Sequence, residues 1–594
     1  MLTYKSRPAP FPLRFTSYAL TPRLLVPEYL TPGVNFEFRD AATPVIRSVR
    51  TDITGFVGLA ERGPLSQAVQ IDSWRQFQAQ FGNFVAYSFL AYAAKGFFEN
   101  GGRTCFIVRI AGATAAKASR TLKNSAGADI LRISAANEGT WGNRIAITLT
   151  QARPGTLEFS LLITRDRFDQ KSFSNLSIKP DDKRYFVRII NEGDERTAAS
   201  QWIEVEDLIP PATPRTAVLL PDAEKSGLRD RIGFLNGGRD GIASLTTDDF
   251  LGNADPLVTE KKGLSAFERV DAIGIVCIPD IHIQPVITLN VPPLQEPPRD
   301  PCISAAPPPL TAPPRDSGTF EQPPTFSADE IFEVQRAMIE HCELQKDRVA
   351  ILDAPVRPGS GEPLRLAEIL AWRSRFESER GFGALYYPWI KVIDPLRIAG
   401  SPVRAIPPCG HVAGLFARSD FSIGVHKAPA NAELLSAEDV TVEVSDEGQA
   451  ILNPEGINCL RAFPGRGIRV YGARTLSSNP DWRYVNVRRL LLMIEEAVDE
   501  ATQWAVFEPH DFNLRQTLVL SISGFLETIW RQGALAGATP KEAFFVKCDE
   551  TTNPAEVVNQ GKLIAEVGVA PTKPMEFIAF SVGRTLEEFE IVER

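Results

Sequence analysis

The chain has 594 residues, and a usual length of about 150 residues per domain predicts roughly four domains. Hydrophobic residues make up 44% of the chain and charged residues 23%, which is typical of folded proteins and excludes wholesale disorder. The formal net charge of -9 is small for this length, so it argues against a protein that holds nucleic acid through a general basic field.

The cysteines and the apolar runs exclude further classes. The seven cysteines lie far apart without a C-x-x-C pair, which favours buried thiols in a reducing compartment over disulfides or a zinc site. No run approaches the length of about 18 apolar residues that a membrane-spanning helix needs. Residues 1–26 carry basic residues and prolines but no continuous apolar stretch, which predicts a flexible leader rather than an export signal.

Both ends of the chain have the alternation of β-strands. In TPGVNFEFRD (31–40) a Pro-Gly turn leads into a segment with Val34, Phe36 and Phe38 on one face. No hairpin partner follows it, so this strand must join a sheet elsewhere, in this chain or in another. MEFIAFSV (575–582) and LEEFEIVE (586–593) alternate in the same way. We therefore expect two terminal arms that lack local partners and lie outside the helical part of the chain.

The region between the arms predicts a layered α/β protein with an insertion. Residues 46–112 alternate strand and helix signals, as in a sheet covered by helices. Residues 113–236 are rich in short alternating segments and predict an inserted, mainly β domain. Its clearest predicted strands are 144–150, 157–164 and 184–190. The α/β pattern resumes at 237–475, with predicted helices at 262–269, 328–345 and 364–379 and strands at 271–280, 348–355 and 384–392.

A proline-rich stretch at 290–325 interrupts this region. Segments such as PPLQEPPRD fill neither a helix nor a sheet interior, so they predict an exposed, semi-extended loop. The alternative is a ligand for a proline-recognising domain.

The clearest helices lie near the C-terminus. Helix 486–505 is predicted to bury one apolar stripe, and helix 511–532 a second one, before strands at 543–548 and 562–569. The charges of the first helix oppose its macrodipole: Arg488 and Arg489 lie at its positive end, and Glu495 and Glu496 lie toward its negative end. No acid is three or four residues from an arginine, so we expect partners outside this helix, in the same domain or across an interface.

Signatures of enzymes are absent. The chain has no phosphate-binding loop, no G-x-S-x-G elbow and no H-E-x-x-H pair. Asp240 in GGRDG is interpreted as a turn residue rather than a cation ligand. His411, with Cys409 beside it and His426 nearby in sequence, is a weak candidate for a metal or nucleophilic site. The alternative function is therefore an α/β enzyme with an inserted β domain, which would show polar residues converging in a pocket.

A set of segments, in order along most of the chain, resembles the contractile phage tail-sheath proteins, in particular sheaths of phage-tail-like (extracellular-type) contractile injection systems. The segments include PEYLTPGVNFEF (27–38), GFVGLAERGP (55–64), FLAYAAKGFFENGGRTCFIVRI (89–110), EGTWGNRIAI (138–147), LYYPWIKV (385–392), INCLRAFPGRGIRVYGARTL (457–476), WRYVNVRRLLLMIEEAVDEATQWAVFEP (482–509) and GALAGATPKEAFFVKCDETTNP (533–554).

The resemblance implies an α/β (α+β) multi-domain fold, in which an inner domain built from both chain ends carries inserted α/β and mainly β outer domains. It implies a structural subunit without catalytic activity or cofactor. Such subunits polymerise as stacked hexameric rings around an inner tube, exchange strands through their arms, and contract to drive the tube through a target envelope. The arm contacts are assigned to Val34, Phe36 and Phe38 in the N-terminal arm and to Phe577, Ile578 and Phe580 in the C-terminal arm. Arg515 and Arg531 of helix 511–532 are candidates for facing the tube, and the alternative is that both are solvated or pair within the sheath. Arg488, Arg489, Glu495 and Glu496 are candidate interface charges because of their placement on helix 486–505, with partners in the same domain as the alternative.

The resemblance also implies partners and a place of assembly. The expected partners are further copies of this chain, an inner tube protein, baseplate and terminator or cap proteins, and sheath paralogues as a further option, with neither nucleic acid nor a direct membrane span. Assembly is expected in the bacterial cytoplasm as part of a phage-tail-like particle that is later released or membrane-anchored. Residues 1–26 precede the part that resembles the family, so Val26 is a candidate alternative start. The expected divisions are 1–26 leader, 27–45 arm, 46–112 α/β segment, 113–236 β domain, 237–475 α/β domain, 476–574 inner domain and 575–594 arm.

Overall fold

The computed structural model describes most of the chain between residues 46 and 593. The described ranges are 46–123, 128–150, 157–165, 169–195, 197–210, 231–253, 255, 260–285, 321–357, 360–397, 401–576, 580–584 and 589–593. The predicted leader, the N-terminal arm with Val34, Phe36 and Phe38, and the greater part of the proline-rich stretch lie outside the described residues.

Strands and helices alternate along the described chain. The strands are β1 Thr54–Gly58, β2 Val69–Ile71, β3 Cys105–Arg109, β4 Ser119–Lys123, β5 Asp129–Ala135, β6 Ile145–Thr150, β7 Glu158–Arg165, β8 Asp169–Ser177, β9 Ile203–Asp207, β10 Arg231–Phe234, β11 Ile275–Cys277, β12 Val349–Asp353, β13 Gly383–Tyr387, β14 Ile390–Ile393, β15 Val403–Ile406, β16 Ala432–Glu433, β17 Asp439–Val440, β18 Ile457–Phe463, β19 Gly467–Tyr471, β20 Phe544–Lys547, β21 Glu566–Val569, β22 Phe580–Arg584 and β23 Phe589–Glu593. The helices are α1 Trp74–Phe81, α2 Leu90–Glu99, α3 Phe186–Asn191, α4 Thr247–Leu251, α5 Ala328–Gln345, α6 Leu366–Arg373, α7 Cys409–Ser422, α8 Asp446–Leu452, α9 Val485–Thr502, α10 Phe512–Arg531, α11 Pro540–Ala543 and α12 Ala555–Asn559.

A nine-stranded sheet forms the centre of the described structure. Its order is β16-β19-β18-β13-β12-β11-β1-β3-β2, with parallel pairing from β18 through to β3 and antiparallel strands at both edges. Strands β1, β12 and β13 are buried at every residue, as expected of parallel strands covered on both faces. The core around this sheet includes apolar side chains of α1, α2, α5, α6 and α7.

The inserted β region has a core of its own. It consists of a four-stranded sheet, β10-β6-β7-β8, and a three-stranded sheet, β4-β5-β9, around a separate cluster of buried side chains. The chain enters and leaves this region side by side, because Ala116 pairs with Arg239 and Ser119 pairs with Asn236 in antiparallel bridges. The described residues of the inserted region are therefore mainly β and pack around buried side chains of their own, and the domain division itself stays a prediction.

A third core joins the two ends of the described chain. It contains side chains of α9, α10, α11, β20 and β21 together with Ile46 and Val49 from the first described residues. Helix α9 belongs to two cores, because Val485 and Leu492 pack in the core of the large sheet whereas Leu490 packs in the third core. The sequence predicted a single apolar stripe on this helix. The buried surface is wider than that stripe, because both cores cover the first half of the helix.

The segment 184–190 was predicted as a strand, and this is wrong. Residues Phe186–Asn191 form α3, which buries Phe186, Ile189 and Ile190 at helical spacing. β-branched and aromatic residues favour strands only as a weak preference, and here packing against the β-domain core decides the conformation.

The predicted strand 384–392 is two strands in two different sheets. Pro388 separates β13 of the large sheet from β14, which pairs with β15 and β17. Proline has no N–H to donate to a ladder, so the pairing cannot continue through it. Other predicted elements are shorter than expected: 271–280 contains the three-residue β11, and 364–379 contains α6.

The expectation that the C-terminal arm lacks a local partner is also wrong. Strand β22 pairs with β23 in an antiparallel hairpin, with Phe580 opposite Glu593. The two alternating segments at the end of the sequence are therefore partners of each other in the single chain. Phe577 and Ile578 lie outside the described residues.

Candidate assembly surface

A small sheet on the third core is the candidate functional site. Strands β20 and β21 pair antiparallel, and β20 packs against α10. Helix α10 is positioned by its cap, where the Leu514 amide donates to Asp511 Oδ1 at 2.8 Å, and by its buried stripe. The predicted stripe of Leu514, Leu518, Ile522, Phe525 and Ile529 is buried as expected.

The two faces of this sheet differ in chemistry. Residues directly opposite in an antiparallel pair share a face, so Phe544 and Val546 lie with Val569 and Val567 on the side toward the third core. On the other face Phe545, with 57% of its surface exposed, lies over its cross-strand partner Gly568. A Cβ built on Gly568 would lie within 2.1 Å of the Phe545 ring, so the glycine makes room for the ring.

The long edges of this sheet are open in the described part of the chain. Only β20 and β21 belong to it there, and each strand therefore has one ladder edge without a strand partner. Unpaired N–H and C=O groups along a strand edge accept a further strand through main-chain hydrogen bonds. Peptide segments in an extended conformation can therefore add to this sheet as strands at both edges.

An ion pair, here called the Glu576 anchor, holds the chain directly before the C-terminal residues 577–594. Glu576, directly before the undescribed residues 577–579, accepts bonds from both the Nε and the second guanidinium nitrogen of Arg474, the Nε bond being 3.0 Å. The Tyr484 hydroxyl donates to the same carboxylate at 3.3 Å. The Glu576 carboxylate raises the pKa of Arg474, chiefly through the hydrogen bond. The anchor fixes the point from which the arm extends.

Two of the four predicted interface charges are satisfied inside the chain. Arg489 is 2% exposed and binds Asp420 of α7 with both terminal nitrogens, at 3.0 and 2.5 Å. It also donates to the Thr51 carbonyl at 3.0 Å and lies over the Phe416 ring. Its partner lies outside the helix, as expected, and within the same subunit, which is one of the two alternatives that the sequence left open.

Arg488 contradicts the expectation that the charged residues of α9 find their partners outside this helix. It is 2% exposed, and it pairs with Glu495 two turns along the same helix at 3.2 Å. Its guanidinium also lies over the rings of Phe382 and Trp482. The two long side chains reach across seven residues of the helix. Side-chain pairs are usually expected at a spacing of three or four residues, so this pair was not predicted.

The two glutamates stay candidates for contacts between subunits. Glu495 keeps 53% of its side chain exposed despite its pair with Arg488. Burial raises the pKa of Glu496 to about 7, with the carboxylates of Asp347 and Glu500 adding to the effect. A carboxylate in this state would gain from a cationic partner.

The predicted tube-facing arginines lie on α10. Arg531 keeps 71% of its side chain exposed and pairs with Glu527 at 2.5 Å, whereas Arg515 is half-buried near the start of the helix. Two exposed apolar residues on the same helix, Phe512 at 68% and Leu520 at 63%, were not predicted from the sequence. Their spacing of eight residues, off the buried stripe, was the available signal.

The enzyme alternative finds no support at its best candidate. His411 is buried in α7 and packed against Gly96, and burial lowers its pKa to about 4. Burial raises the pKa of the Cys409 thiol well above its ordinary value, which keeps it protonated. Among the described residues no group of three or more His, Cys, Asp or Glu side chains is placed to hold a metal ion. Within the same residues no helix is both long and apolar enough to cross a membrane.

At the carboxyl edge of the parallel strands, where α/β enzymes bind ligands, two buried aspartates bond to the chain itself. Asp280 accepts the Phe89 amide at 2.5 Å and the Leu59 amide at 2.6 Å, at the start of α2. Asp353 accepts the Cys409 amide at 2.9 Å, at the start of α7. Burial raises the pKa of Asp280 to about 6 and that of Asp353 to about 7. These carboxylates occupy helix N-termini that in enzymes of this class receive anions.

Solved structures place the architecture in one class. A chain of the anti-feeding prophage baseplate in the contracted state aligns with 94% of this chain and 100% of its own length, with a TM-score of 0.53 and 18% identity. A sheath tail protein from Desulfitobacterium hafniense aligns over 87% of this chain and 94% of its own, with a TM-score of 0.51 and 13% identity. The fold is therefore the multi-domain α/β fold of tail-sheath structures.

Sequence comparisons define the family. Residues 327–476 match the phage tail sheath protein central domain, and residues 477–584 match the phage tail sheath C-terminal domain. The tail sheath protein of Salmonella phage ViI is 24% identical over 273 residues, which are 45% of this chain and 42% of that protein. That of Burkholderia phage BcepMu is 29% identical over 267 residues, 42% of this chain and 52% of that protein.

Residues 327–584, somewhat less than half of the chain, are therefore similar to the central and C-terminal domains of phage tail sheath proteins. The chain matches about half or less of the length of the two curated relatives described above.

Proposed function

We propose that this protein is the polymerising subunit of a contractile sheath, in which strand exchange at β20–β21 links neighbouring copies. The observation that carries the proposal is the two-stranded sheet with an open ladder edge on each side. One edge would receive the N-terminal arm, 27–45, of one neighbour, and the other edge would receive the C-terminal arm, 575–594, of another.

The chemistry of the arms fits such an acceptor. The N-terminal arm presents Val34, Phe36 and Phe38 on one face, and a strand added to the sheet would continue the apolar face that Phe544 and Val546 begin. The Glu576 anchor holds the root of the other arm on its own subunit. Phe577, Ile578 and Phe580 follow directly, so they would provide the contacts beyond the anchor.

Copies linked in this way would stack as hexameric rings around an inner tube and contract to drive that tube through a target envelope. Helix α10 would face the tube through Arg515 and Arg531, with Phe512 and Leu520 adding apolar contact. Glu495 and Glu496 would meet basic groups of other subunits.

Further copies of this chain, a baseplate and a terminator would complete the particle, with sheath paralogues as further partners. Assembly would take place in the bacterial cytoplasm. The domain divisions would be those expected from the sequence, with an inner domain at 476–574, and the packing of Ile46 in the third core supports a contribution from the start of the described chain to that domain.

Electron microscopy of the chain produced together with its neighbouring genes tests the proposal. Wild-type protein should form hollow, helically striated tubes. The variant Phe36→Asp with Phe38→Asp should give a folded subunit that forms none, because two carboxylates cannot enter the apolar face of the shared sheet.

The matched control places the same charges on the opposite face of the arm. Asn35→Asp with Arg39→Asp also adds two carboxylates, but on the face predicted to be polar, and should still form tubes. Normal tubes from the Phe36 and Phe38 variant would contradict arm exchange, and small discrete particles from the wild type would contradict the sheath function itself.

A further inference from the structure

The loop between α9 and α10 presents an apolar tip to solvent. Phe507 is fully exposed, Val506 is 58% exposed and Trp504 is 36% exposed. We call residues 503–508 the aromatic turn. Two aromatic side chains at an exposed tip are typical of an interaction surface, because aromatic residues supply much of the binding energy at interfaces between proteins.

Local hydrogen bonds and one strained residue shape this tip. The Val506 amide donates to the Gln503 carbonyl at 3.2 Å, and the Glu508 amide donates to the Ala505 carbonyl at 3.3 Å. Phe507 has a φ of 70°, in the left-handed region that bulky side chains rarely adopt. The turn therefore presents its aromatic ring in a preorganised form, which lowers the entropy that binding costs.

A groove of about 660 Å³ lies at the other end of α9, lined by residues of α8, of β19 and of the chain at 574–576. We call it the α8–β19 groove. Its lining residue Ala473 accepts the Val485 amide through its carbonyl at 3.0 Å, so the groove adjoins the first residue of α9. With 18 residues at about 1.5 Å each, α9 separates the groove from the aromatic turn by about 27 Å. The turn therefore cannot enter the groove of its own subunit.

The groove offers apolar and aromatic contacts. Its lining includes Ala428, Ala450, Pro454, Tyr471 and Met575. Tyr471 is 37% exposed and Met575 is 76% exposed, so both side chains are accessible from solvent. Aromatic rings pack favourably against a tyrosine ring and against a methionine sulfur. The volume of the groove lies in the range of about 300–1,000 Å³ that takes a drug-sized ligand, and two aromatic side chains match that size.

The groove has an excess of positive charge. Lys427 lines it and is exposed, and no carboxylate pairs with this lysine among the described residues. Arg466 at the rim donates to the side-chain oxygen of the lining residue Asn431 at 3.0 Å, and in the described part of the chain it also has no carboxylate partner. The remaining charges of the lining are neutralised within the subunit by the ion pairs Arg461–Asp446 and Arg474–Glu576.

The aromatic turn and the helix before it are acidic. Residues 490–514 contain six Asp or Glu residues and no Lys or Arg. Glu500 and Glu508 lie on either side of Trp504, both are exposed, and neither forms an ion pair with another described residue. Opposite charges on two surfaces steer them together and disfavour wrong partners. The turn and the groove are therefore complementary in charge as well as in their apolar contacts.

We propose that the aromatic turn of one copy of this chain inserts into the α8–β19 groove of a second copy. Phe507 packs against Tyr471 and Met575, and Glu508 lies beside Lys427. The turn and the groove are different surfaces at opposite ends of α9, so each copy binds one neighbour through its turn and another neighbour through its groove. Head-to-tail contacts of this kind form rings or helical filaments. The contact adds to strand exchange at β20–β21 and does not depend on it.

Photo-cross-linking of the full-length chain tests this contact. The photoreactive residue p-benzoylphenylalanine takes the place of Phe507, and illumination joins it to C–H bonds within reach, with a preference for methionine. A mixture of isotope-labelled and unlabelled protein shows by mass spectrometry which products join two copies. We expect mixed-isotope products in which position 507 is linked to Met575 or to other residues of the groove. The matched control carries the same photoreactive residue in place of Phe421, an exposed aromatic residue of α7, and should not give this product.

Charge variants test the electrostatic part of the contact. Lys427→Glu brings like charges together, so it should lower the yield of the cross-link several-fold, and adding Glu508→Lys to the same chain should restore the yield. The control Lys541→Glu makes the same change at an exposed lysine outside the groove lining and should leave the yield unchanged.

Three outcomes would overturn the proposal: the absence of a cross-linked dimer, cross-links that lie within one molecule or outside the groove, and equal yields from Lys427→Glu and Lys541→Glu. A cross-link between two copies in a preparation that forms no tubes would support this contact while contradicting the sheath assembly, so the two proposals fail separately.

Discussion

The buried pair of Arg489 and Asp420 should stabilise the subunit itself rather than a contact between subunits. The two side chains keep 1% and 8% of their surfaces exposed and meet through two hydrogen bonds. Thr51 adds a bond from its hydroxyl to Asp420 at 2.8 Å and accepts from Arg489 through its carbonyl. The pair therefore connects the start of the described chain with α7 and α9.

The magnitude follows from the burial of both charges. Asp420→Ala leaves the guanidinium of Arg489 without its carboxylate, and breaking a buried pair in this way costs about 3–5 kcal/mol. Replacing both residues with apolar ones, Asp420→Leu with Arg489→Met, removes both charges and should be less destabilising than Asp420→Leu alone or Arg489→Met alone. The coupling energy of the double-mutant cycle should then be about 2 kcal/mol or more.

Urea unfolding combined with hydrogen exchange across α9 measures this effect. A chain with several cores need not unfold in one step, so the comparison uses the transition at which Val485–Thr502 loses protection. If Asp420→Ala left the hydrogen-exchange protection of α9 unchanged but prevented tube formation, our reasoning would be refuted. Arg489 would then act at a contact between subunits. Single and double variants of equal stability would refute the coupling.

Two further predictions concern packing and pH. Gly414→Ala should destabilise the chain by about 1–3 kcal/mol, because its new Cβ would lie 2.4 Å from the Phe97 carbonyl oxygen. Gly524→Ala on α10 should instead stabilise the chain by about 0.5–1 kcal/mol, because its new Cβ would have nothing within 4 Å. Thermal unfolding of both variants checks that the two changes in stability have opposite signs. Asp353 is ionised in the unfolded chain above its ordinary pKa of 3.8 but holds its proton in the folded chain up to about pH 7, so its contribution to stability falls as pH rises through this window. From pH 5.5 to 7 the wild type should therefore lose about 2 kcal/mol relative to Asp353→Asn, and parallel stability curves for the two proteins would contradict the shift.

Much of the fold follows from local sequence patterns. Helix α5 has the predicted bounds, because Ser327 and Glu330 form a capping box at its start, and α10 buries the predicted stripe. The conformation of 184–190 could not be predicted, since its residues favour a strand and only contacts with distant strands select α3.

The candidate site was only partly predictable. The strands predicted at 543–548 and 562–569 are confirmed as β20 and β21. No local sequence pattern predicts, however, that the outer edge of each strand has no strand partner in the described part of the chain. The partners of Arg488 and Arg489 also escaped prediction. One lies seven residues away on the same helix and the other 69 positions away on α7, and a rule based on neighbouring turns cannot find either.

The side-by-side entry and exit of the inserted β domain makes it a natural site for protein engineering. Ala116 pairs with Arg239 and Ser119 pairs with Asn236, so the two ends of the inserted region lie next to each other. Among its described residues, the buried apolar side chains form their own cluster, separate from the core of the large sheet. A foreign domain whose own termini lie close together could replace it as a cassette, and a sheath built from such chimeras would display that cargo at regular intervals along its length.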